Sequence, residues 1–291
     1  MASLKDIRNR VKSVKNTQKI TRAMKLVAAA KLRRAQDAAE AARPYADRMR
    51  SVIGTLASSV DPSFSPLFRR EESPRRSLVV VLSSDRGLCG GFNSTLFRRT
   101  REFLRENKGL LGEVEIVAVG RKGSEFIRRE ALNSLAQWET PAAEASLPVA
   151  RQITELAVQG FVDGTYDRVY VAFNRFQSAL SQEPTFEQVL PFDPAAFGEV
   201  DETAGPDFLF EPSREALLSV LLPQFLDTRV YGSLLESVAS EFGARMTAMD
   251  NATNNANDLI DELTLAMNRA RQAMITTELS EITAGSEALK G

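Results

Sequence analysis

The last quarter of the chain contains the feature that most constrains its fold, a long apolar repeat within residues 224–284. This stretch has no proline, and its only two glycines stand near its start. From residue 246 onward, apolar or small side chains recur at alternating steps of three and four: Met246, Met249, Thr253, Ala256, Ile260, Leu263, Met267, Ala270 and Met274. A 3.5-residue period is typical of a coiled-coil seam. One helix over this range would be about 90 Å long, so we expect a partner along its length.

A second helix at the N-terminus can supply that partner. Residues 3–43 contain no glycine or proline, and their first apolar positions follow the same steps of three and four. Pro44 is expected to kink or interrupt this helix, because proline removes a backbone hydrogen bond, although residues 45–60 still have a helical pattern. We predict that the two terminal helices pair antiparallel. The predicted seam positions are Leu4, Ile7, Val11, Val14, Ile260, Leu263 and Met267.

Between the terminal helices, the sequence changes to the pattern of an α/β domain. Short β-branched runs alternate with helix-like stretches, which is typical of a three-layer, Rossmann-like domain with a mainly parallel sheet. The predicted strands cover residues 77–82, 113–119 and 168–173, with an edge strand at 184–192. The predicted domains are residues 1–60 (N-terminal coiled-coil helix), 75–205 (central α/β domain) and 206–291 (C-terminal coiled-coil helix).

The available residue types exclude several kinds of catalytic site. The 291 residues include no histidine and a single cysteine, Cys89. A Cys/His zinc site or a nucleophile paired with histidine therefore cannot form, and neither can an internal disulfide. An enzyme that uses carboxylates or lysine remains possible. We interpret Cys89 as a small buried hydrophobic residue.

Two glycine-rich turns, Gly87–Gly91 and Gly120–Ser124, each lie between a predicted strand and a predicted helix. Phosphate-binding loops occupy such positions, but neither turn matches a P-loop or the GxGxxG spacing of dinucleotide-binding folds. We favour structural turns, because strand-to-helix turns need glycine in any case. A nucleotide-dependent enzyme built on the α/β domain is the alternative.

Charge is distributed unevenly, although the net charge is only −1. Residues 1–34 contain eleven lysines and arginines and one acid, Asp6, so this segment carries a charge of +10. A basic helix could bind nucleic-acid phosphates, yet this one is alanine-rich and has no aromatic residue for stacking on bases. We favour solvated charges flanking a seam. A coiled-coil scaffold or nucleic-acid-binding protein is the alternative.

Several motifs resemble one protein family. Residues 3–24 resemble the N-terminal helix of the gamma subunit of F-type (rotary) ATP synthases of the bacterial type. Residues 83–93, SSDRGLCGGFN, resemble the central-domain motif of that family. Residues 245–253 and 268–272 resemble its C-terminal helix. The resemblance thus covers both ends and the middle of the chain in the same order.

The resemblance implies a central rotor shaft that has no catalytic residue, cofactor or metal of its own. Its partners would be the alpha and beta subunits, whose hexamer the paired helices enter, the epsilon subunit and the ring of membrane c subunits. Ion flow would turn the ring and the shaft, and the turning shaft would force the catalytic beta subunits through open and closed states. No nucleic acid would bind. One copy per complex would lie peripherally at the cytoplasmic face of the bacterial inner membrane, with membrane contact only through the ring.

The same resemblance assigns interface positions. Those that match contacts with the alpha–beta hexamer are Met24, Arg245, Arg271, Gln272, Thr276, Glu278 and Glu281. Those that match the contact with the c ring are Phe208, Phe210 and Glu211. Relatives often have tyrosine at the two phenylalanine positions, so any hydrogen bond from a hydroxyl group there would be lost. No apolar run of about 20 residues occurs, so we expect no transmembrane helix.

Overall fold

The computed structural model describes residues 4–57, 60–193, 197 and 211–288. The chain divides into two compact units, Met1–Val27 with Met246–Gly291 and, separately, Ala28–Arg245. We call the first the coiled-coil unit and the second the central unit. The first and last helices contribute residues to both units.

The helices and strands follow the predicted order of helix, α/β domain and helix. The helices are α1 (Leu4–Ala57), α2 (Phe92–Glu106), α3 (Lys108–Leu111), α4 (Arg121–Arg129), α5 (Ser146–Val162) and α6 (Arg214–Ala288). The strands are β1 (Arg76–Leu82), β2 (Glu113–Val119), β3 (Asn133–Trp138), β4 (Arg168–Phe176) and β5 (Gln182–Leu190). None of the helices in the described ranges is long and apolar enough to cross a membrane.

The five strands form one sheet in the order β3-β2-β1-β4-β5. The first four strands are parallel, and β5 runs antiparallel to β4. This confirms the mainly parallel sheet with an added edge strand. The sequence pattern did not indicate β3, because that strand lies at the other edge with mostly exposed residues and has no β-branched run.

The central sheet is buried on both faces, as the β-branched run in β1 predicts. Leu78, Val80 and Leu82 belong to an apolar cluster that also contains side chains of α5, α1 and α6. Val79 and Val81 belong to a second cluster, with side chains of α2 and α4. Helices therefore cover both faces of the sheet, which gives the three-layer arrangement.

α6 begins earlier than the apolar repeat indicated. It starts at Arg214 and has Pro223 in its interior. Its first turns bury Leu218, Leu222 and Phe225 in the first cluster of the central unit. The early part of this helix is therefore part of a globular core, and the division of the chain into three domains remains a prediction.

The first helix is not interrupted at Pro44, and the expectation that the proline kinks it remains a prediction. α1 extends from Leu4 to Ala57 with Pro44 inside it. The Pro44 side chain is exposed, so a backbone carbonyl that loses its amide partner there can bind water instead. Beyond this point, Met49, Ile53 and Leu56 of α1 are buried in the central unit.

Candidate interaction surfaces

Three polar pairs join α1 to α6 within the coiled-coil unit and define their register. They are Gln18 with Asn257, Thr21 with Thr253, and Lys25 with Asp250. The two threonine hydroxyl oxygens are 2.7 Å apart, and the lysine nitrogen lies 2.6 Å from the aspartate carboxylate. Each step of three or four along α1 is matched by a step of three or four backwards along α6. The helices are therefore antiparallel in this unit.

The same register extends to the predicted apolar seam. It brings Val11 and Val14 level with Ile260 and Leu263. Among the seam positions, Ile7 is buried, and the half-buried ones are Leu4, Val11, Val14, Ile260, Leu263 and Met267. The seam is thus a thin one, in which two helices shield each other only partly. Which apolar side chains touch across it remains a prediction.

α6 continues beyond the part of α1 that the structure describes. The register brings Leu4, the first described residue of α1, level with α6 just past Ala270. Every residue from 271 to 286 is exposed. This segment, which we call the overhang, carries five predicted hexamer contacts, Arg271, Gln272, Thr276, Glu278 and Glu281. It also exposes apolar side chains, namely Met274, Ile275, Leu279 and Ile282.

The other two predicted hexamer contacts have different surroundings. Met24 is half-buried in the coiled-coil unit. Arg245 is only 8 % exposed and lies inside the central unit. Its Nη2 donates to Glu241 Oε1 at 2.6 Å, and its Nη1 donates to the backbone carbonyl of Gly87 at 2.6 Å. The guanidinium group is thus held by its own chain.

The loop between β1 and α2 receives that guanidinium group. Ser84 Oγ donates to the carbonyl of Arg86 at 2.8 Å, and Asn93 Nδ2 donates to Ser84 Oγ at 2.7 Å. Cys89 is buried against Phe92 and Ala244. Burial raises the pKa of the Cys89 thiol, with a smaller opposing effect from the hydrogen bond to Ser84. This finding agrees with the interpretation of Cys89 as a buried apolar residue.

The turn after β2 is built to pack against the turn after β1. A Cβ atom on Gly120 would lie 2.5 Å from the carbonyl oxygen of Ser83, and one on Gly123 would lie 2.8 Å from Ser83 Oγ. Gly120 also has a φ of 95°, which favours glycine. Close approach of the Ser83 backbone therefore explains Gly120, and close approach of the Ser83 side chain explains Gly123.

The amide donors that a phosphate would need at the start of α4 are already occupied. The N–H group of Arg121 donates to Asp85 Oδ1, that of Lys122 to the carbonyl of Ser84, and that of Gly123 to Ser83 Oγ. The loop after β1 thus caps the start of α4, which is the helix that follows the turn after β2. This geometry favours structural turns over a nucleotide site. Among the described residues, no group of three or more Cys, Asp or Glu side chains could hold a metal ion.

Of the predicted c-ring contacts, the structure describes only one. Glu211 is exposed just ahead of α6. Phe208 and Phe210 lie outside the described residues.

The basic segment presents its charge to solvent. Of the eleven lysines and arginines in residues 1–34, only Lys25 is half-buried, and it is paired with Asp250. The others are exposed. The charge that the sequence concentrates here is therefore available to an acidic partner.

Sequence reasoning missed two polar arrangements. It did not indicate that Gln18, Thr21 and Lys25 lie on the seam, because a search for apolar repeats passes over polar positions. It also missed Glu241 as the partner of Arg245. The spacing of four between these residues was a usable signal, since oppositely charged side chains four apart meet on a helix.

Comparisons with known proteins agree with this architecture. A family model described as ATP synthase matches residues 3–289. The chain is 48 % identical over 292 residues to the ATP synthase gamma chain of Geobacter metallireducens, and the match covers 100 % of both chains. It is 45 % identical over 293 residues to the ATP synthase gamma chain of Chlorobaculum parvum, again with 100 % of both chains covered.

Solved structures give the same result for the fold. The central stalk and c-ring structure of the Tetrahymena thermophila mitochondrial ATP synthase contains a chain that is 27 % identical, with a TM-score of 0.58. That match covers 80 % of this chain and 99 % of the other. A chain of the Euglena gracilis mitochondrial ATP synthase has the same fold, with a TM-score of 0.66 at 19 % identity, covering 98 % of this chain and 94 % of the other. The protein described here therefore belongs to the ATP synthase gamma chain family.

Proposed function

We propose that this chain is the central-stalk rotor subunit of a bacterial membrane ATP synthase. It turns within a hexamer of alternating alpha and beta subunits and couples ion-driven rotation of the c ring to ATP synthesis. The ATP chemistry takes place on the beta subunits, so the chain transmits torque and has no catalytic residue. The epsilon subunit binds beside the central unit, and the complex holds one copy of this chain.

The overhang of α6 is the observation that carries this proposal. Residues 271–286 form an exposed helix that has no partner among the described residues of α1. Ile275, Leu279 and Ile282 follow steps of four and three, so they lie on one face of it. A lone helix with an exposed apolar face is poorly stabilised in water. A surrounding hexamer supplies the missing surface.

The charges of the coiled-coil unit suit a surface that slides past its partners. The exposed basic residues of α1 attract acidic side chains on the moving segments of the beta subunits. Exposed ion pairs each contribute only about 0–1 kcal/mol. Such contacts can be exchanged as the shaft turns from one beta subunit to the next.

The segment ahead of α6 is the proposed contact with the membrane ring. The proposed contact consists of Phe208, Phe210 and Glu211. The two aromatic side chains would serve as interface anchors. The chain then lies at the cytoplasmic face of the inner membrane and touches the membrane only through the ring. Replacing both phenylalanines with Ala should detach the soluble part of the complex from membranes without loss of its ATPase activity.

A co-expression experiment tests the proposed function. The full chain and a version that ends at Ala270 are each produced with the alpha and beta subunits, purified and rebound to membranes. We expect the full chain to join the hexamer as a single copy and to restore ATP-driven ion pumping. The shortened chain should pump several-fold less per ATP hydrolysed, because it lacks the overhang.

Two outcomes would contradict the proposal. If the full chain purifies without alpha and beta subunits and instead carries nucleic acid, the rotor function is wrong. If the shortened chain pumps as well as the full one, the overhang is not a torque-bearing contact.

A further inference from the structure

The middle of α6 lies against the carboxyl edge of the sheet, where the parallel strands β1 and β4 end. Within the central unit, no residue of α6 from 225 to 245 is exposed. This covered stretch nevertheless contains three buried serines, Ser233, Ser237 and Ser240. Buried hydroxyl groups need hydrogen-bond partners, and the partners of these three differ.

Two of the serines donate to the ends of strands. Ser237 Oγ donates to the carbonyl of Leu82 at 3.2 Å, and Ser240 Oγ donates to the carbonyl of Asn174 at 2.8 Å. Both acceptors lie just beyond the last residue pair that joins β1 to β4. The helix thus supplies donors where the pairing of these strands has ended.

The third serine makes a bond within its own helix. Ser233 Oγ donates to the carbonyl of Arg229, four residues earlier in α6, at 3.1 Å. This bond does not reach the sheet. Ser233 therefore provides a natural comparison for the other two serines, since all three are buried on the same helix.

The acceptor on β4 is itself held in place. Asn174 is 1 % exposed, and its Nδ2 donates to the carbonyl of Phe92 in α2 at 3.1 Å. Further along α6, a Cβ atom on Gly243 would lie 3.0 Å from the ring of Phe176 and 3.2 Å from the Cα atom of Ala179. Three contacts at steps of three residues thus hold one face of α6 against β1, β4 and the hairpin between β4 and β5.

Apolar packing alone would define the position of α6 less sharply, because apolar contacts are non-directional. Hydrogen bonds depend on distance and angle. Movement of the helix by one turn, about 5.4 Å, would therefore break both serine bonds to the sheet. Polar side chains in the seam of a coiled coil define the register of its helices in the same way.

We propose that Ser237 and Ser240 are positioning residues that lock α6 to the carboxyl edge of the sheet, so that the helix and the α/β domain turn as one body under load. This inference rests on the proposed rotor function, in which α6 carries torque. Without the two hydroxyl groups, α6 is held there mainly by apolar contacts and yields when the load is high.

A role in stability alone is the competing explanation. Lower stability reduces the number of working complexes, and this reduction is the same whatever load each complex works against. Loss of a lock instead impairs each complex most when the opposing load is greatest. The two explanations therefore differ in how pumping depends on the opposing ion gradient.

The first part of the test uses the pure full-length chain, in which Cys89 is the only cysteine and Trp138 the only tryptophan. Cys89 is buried against Ala244 of α6, so maleimide labelling of its thiol measures displacement of the helix. Fluorescence of Trp138 during denaturation measures global stability. We expect Ser237→Ala with Ser240→Ala to speed labelling about tenfold to a hundredfold, as for the loss of two hydrogen bonds. Ser233→Ala is the matched control and should leave labelling unchanged.

A glycine pair tests the same position by adding a methyl group. Gly243→Ala should also speed labelling, because the new side chain crowds Phe176 and Ala179. It should do so although alanine favours a helix more than glycine does. Gly232→Ala is the control, since a Cβ atom there meets nothing within 4 Å. That change should leave labelling unchanged and raise the stability of the chain.

The second part measures ATP-driven pumping into vesicles by complexes rebuilt with each variant. Without an opposing gradient, the double serine variant should hydrolyse ATP and pump ions at nearly the normal rate. As the gradient builds, its pumping per ATP should fall earlier, so that the final gradient is several-fold smaller. Complexes with Ser233→Ala should reach the same final gradient as the unaltered complex.

Each contrary result overturns a specific step. Unchanged labelling of the double serine variant, or faster labelling only in proportion to a loss of global stability, would show that the hydroxyl groups do not set the position of α6. A normal final gradient would show that the load is carried elsewhere. A loss of pumping by the same factor at every gradient would show a role in stability alone. Failure of the unaltered chain to assemble with alpha and beta subunits would refute the rotor function instead, and the labelling result would still stand.

Discussion

The central unit and the coiled-coil unit each contain parts of α1 and α6, but they are held together differently. In the central unit, β1 and the side chains around it are almost completely buried on both sides of the sheet. In the coiled-coil unit, most predicted seam residues are half-buried, and the pairs that define the register are polar. The central unit has its own apolar core, whereas the coiled-coil unit is only partly shielded by itself. We therefore expect the coiled-coil unit to depend on partner subunits for part of its stability.

The largest expected effect concerns the apolar core of the central unit. Phe161 is fully buried, and its replacement by Ala should destabilise the central unit by about 3–5 kcal/mol. Denaturant unfolding followed by Trp138 fluorescence measures this unit specifically. Leu180→Ala is the control, because an 83 % exposed leucine should change stability by no more than about 0.5 kcal/mol. Equal effects of the two changes would contradict the assignment of the core.

The next effect is on the seam. Ile260→Asp with Leu263→Asp places two carboxylates between α1 and α6. Each lost apolar contact should cost an amount at the low end of about 2–5 kcal/mol, since both side chains are half-buried, and burial of charge adds to that.

Hydrogen exchange should then rise in residues 4–27 and 246–270, while Trp138 fluorescence still reports a folded central unit. ATP-driven pumping should be lost. Ile260→Leu is the conservative control and should have little effect. Full protection of both helices in the double Asp variant would show that this face is not a seam.

A smaller effect is expected for the polar pairs. Replacing both Thr21 and Thr253 with Val removes the contact between the two hydroxyl groups and the bonds that they donate to the carbonyls of Gln18 and Met249 in their own helices. It leaves an apolar pair of similar shape. Such double replacements are close to neutral for stability, so the free energy of unfolding should change by less than about 1 kcal/mol. Changing Thr21 alone should have the larger effect of the two. A strongly destabilised double variant would contradict this prediction and would mean that the hydroxyl pair contributes much of the stability of the coiled-coil unit.

The smallest effect concerns one carboxyl group at the edge of the central unit. Burial raises the pKa of Glu236, and Arg175 only partly offsets this. Its Oε2 atom has no hydrogen-bond partner. The folded state therefore holds its proton more tightly than the unfolded state, and stability falls as the pH rises from about 4.5 through the raised pKa.

Glu236→Gln removes this titration. The free energy of unfolding of the variant should equal that of the unaltered chain below about pH 4.5. Above the raised pKa, the variant should be slightly more stable. Thermal unfolding across that pH range measures the difference. A difference that shrinks as the pH rises would mean that the ionised carboxylate is stabilised by the fold.

Periodic features of the sequence predicted most of the fold. The β-branched run in β1 predicted a strand buried on both faces, and the 3.5-residue repeat predicted a helix that pairs with another. The edge strand β3 gave no such signal, since an exposed strand needs no apolar pattern. Pro44 does not end the helix, because the cost of a proline depends on whether the carbonyl group that loses its amide partner can reach water.

The candidate interaction surfaces were less predictable. The overhang could not be recognised from periodicity, because the apolar repeat continues to Met274. Only the register of the two helices shows that Leu4, the first described residue of α1, lies level with α6 just past Ala270. The contact of Arg245 with Gly87 joins residues far apart in the sequence, and such a hydrogen bond leaves no local pattern. The resemblance to a family identified Arg245 as important, but only the structure shows what its guanidinium holds.

The unequal ends of α1 and α6 have a mechanical consequence. Where the helices run side by side, bending one must stretch or slide the other, so the pair acts as a beam. The overhang of α6, beyond Ala270, is a single helix that is supported only at one end, like a cantilever. It therefore bends more easily under the same load. An off-axis push on the tip would thus be absorbed as local flexing there, and the paired section would turn with little distortion.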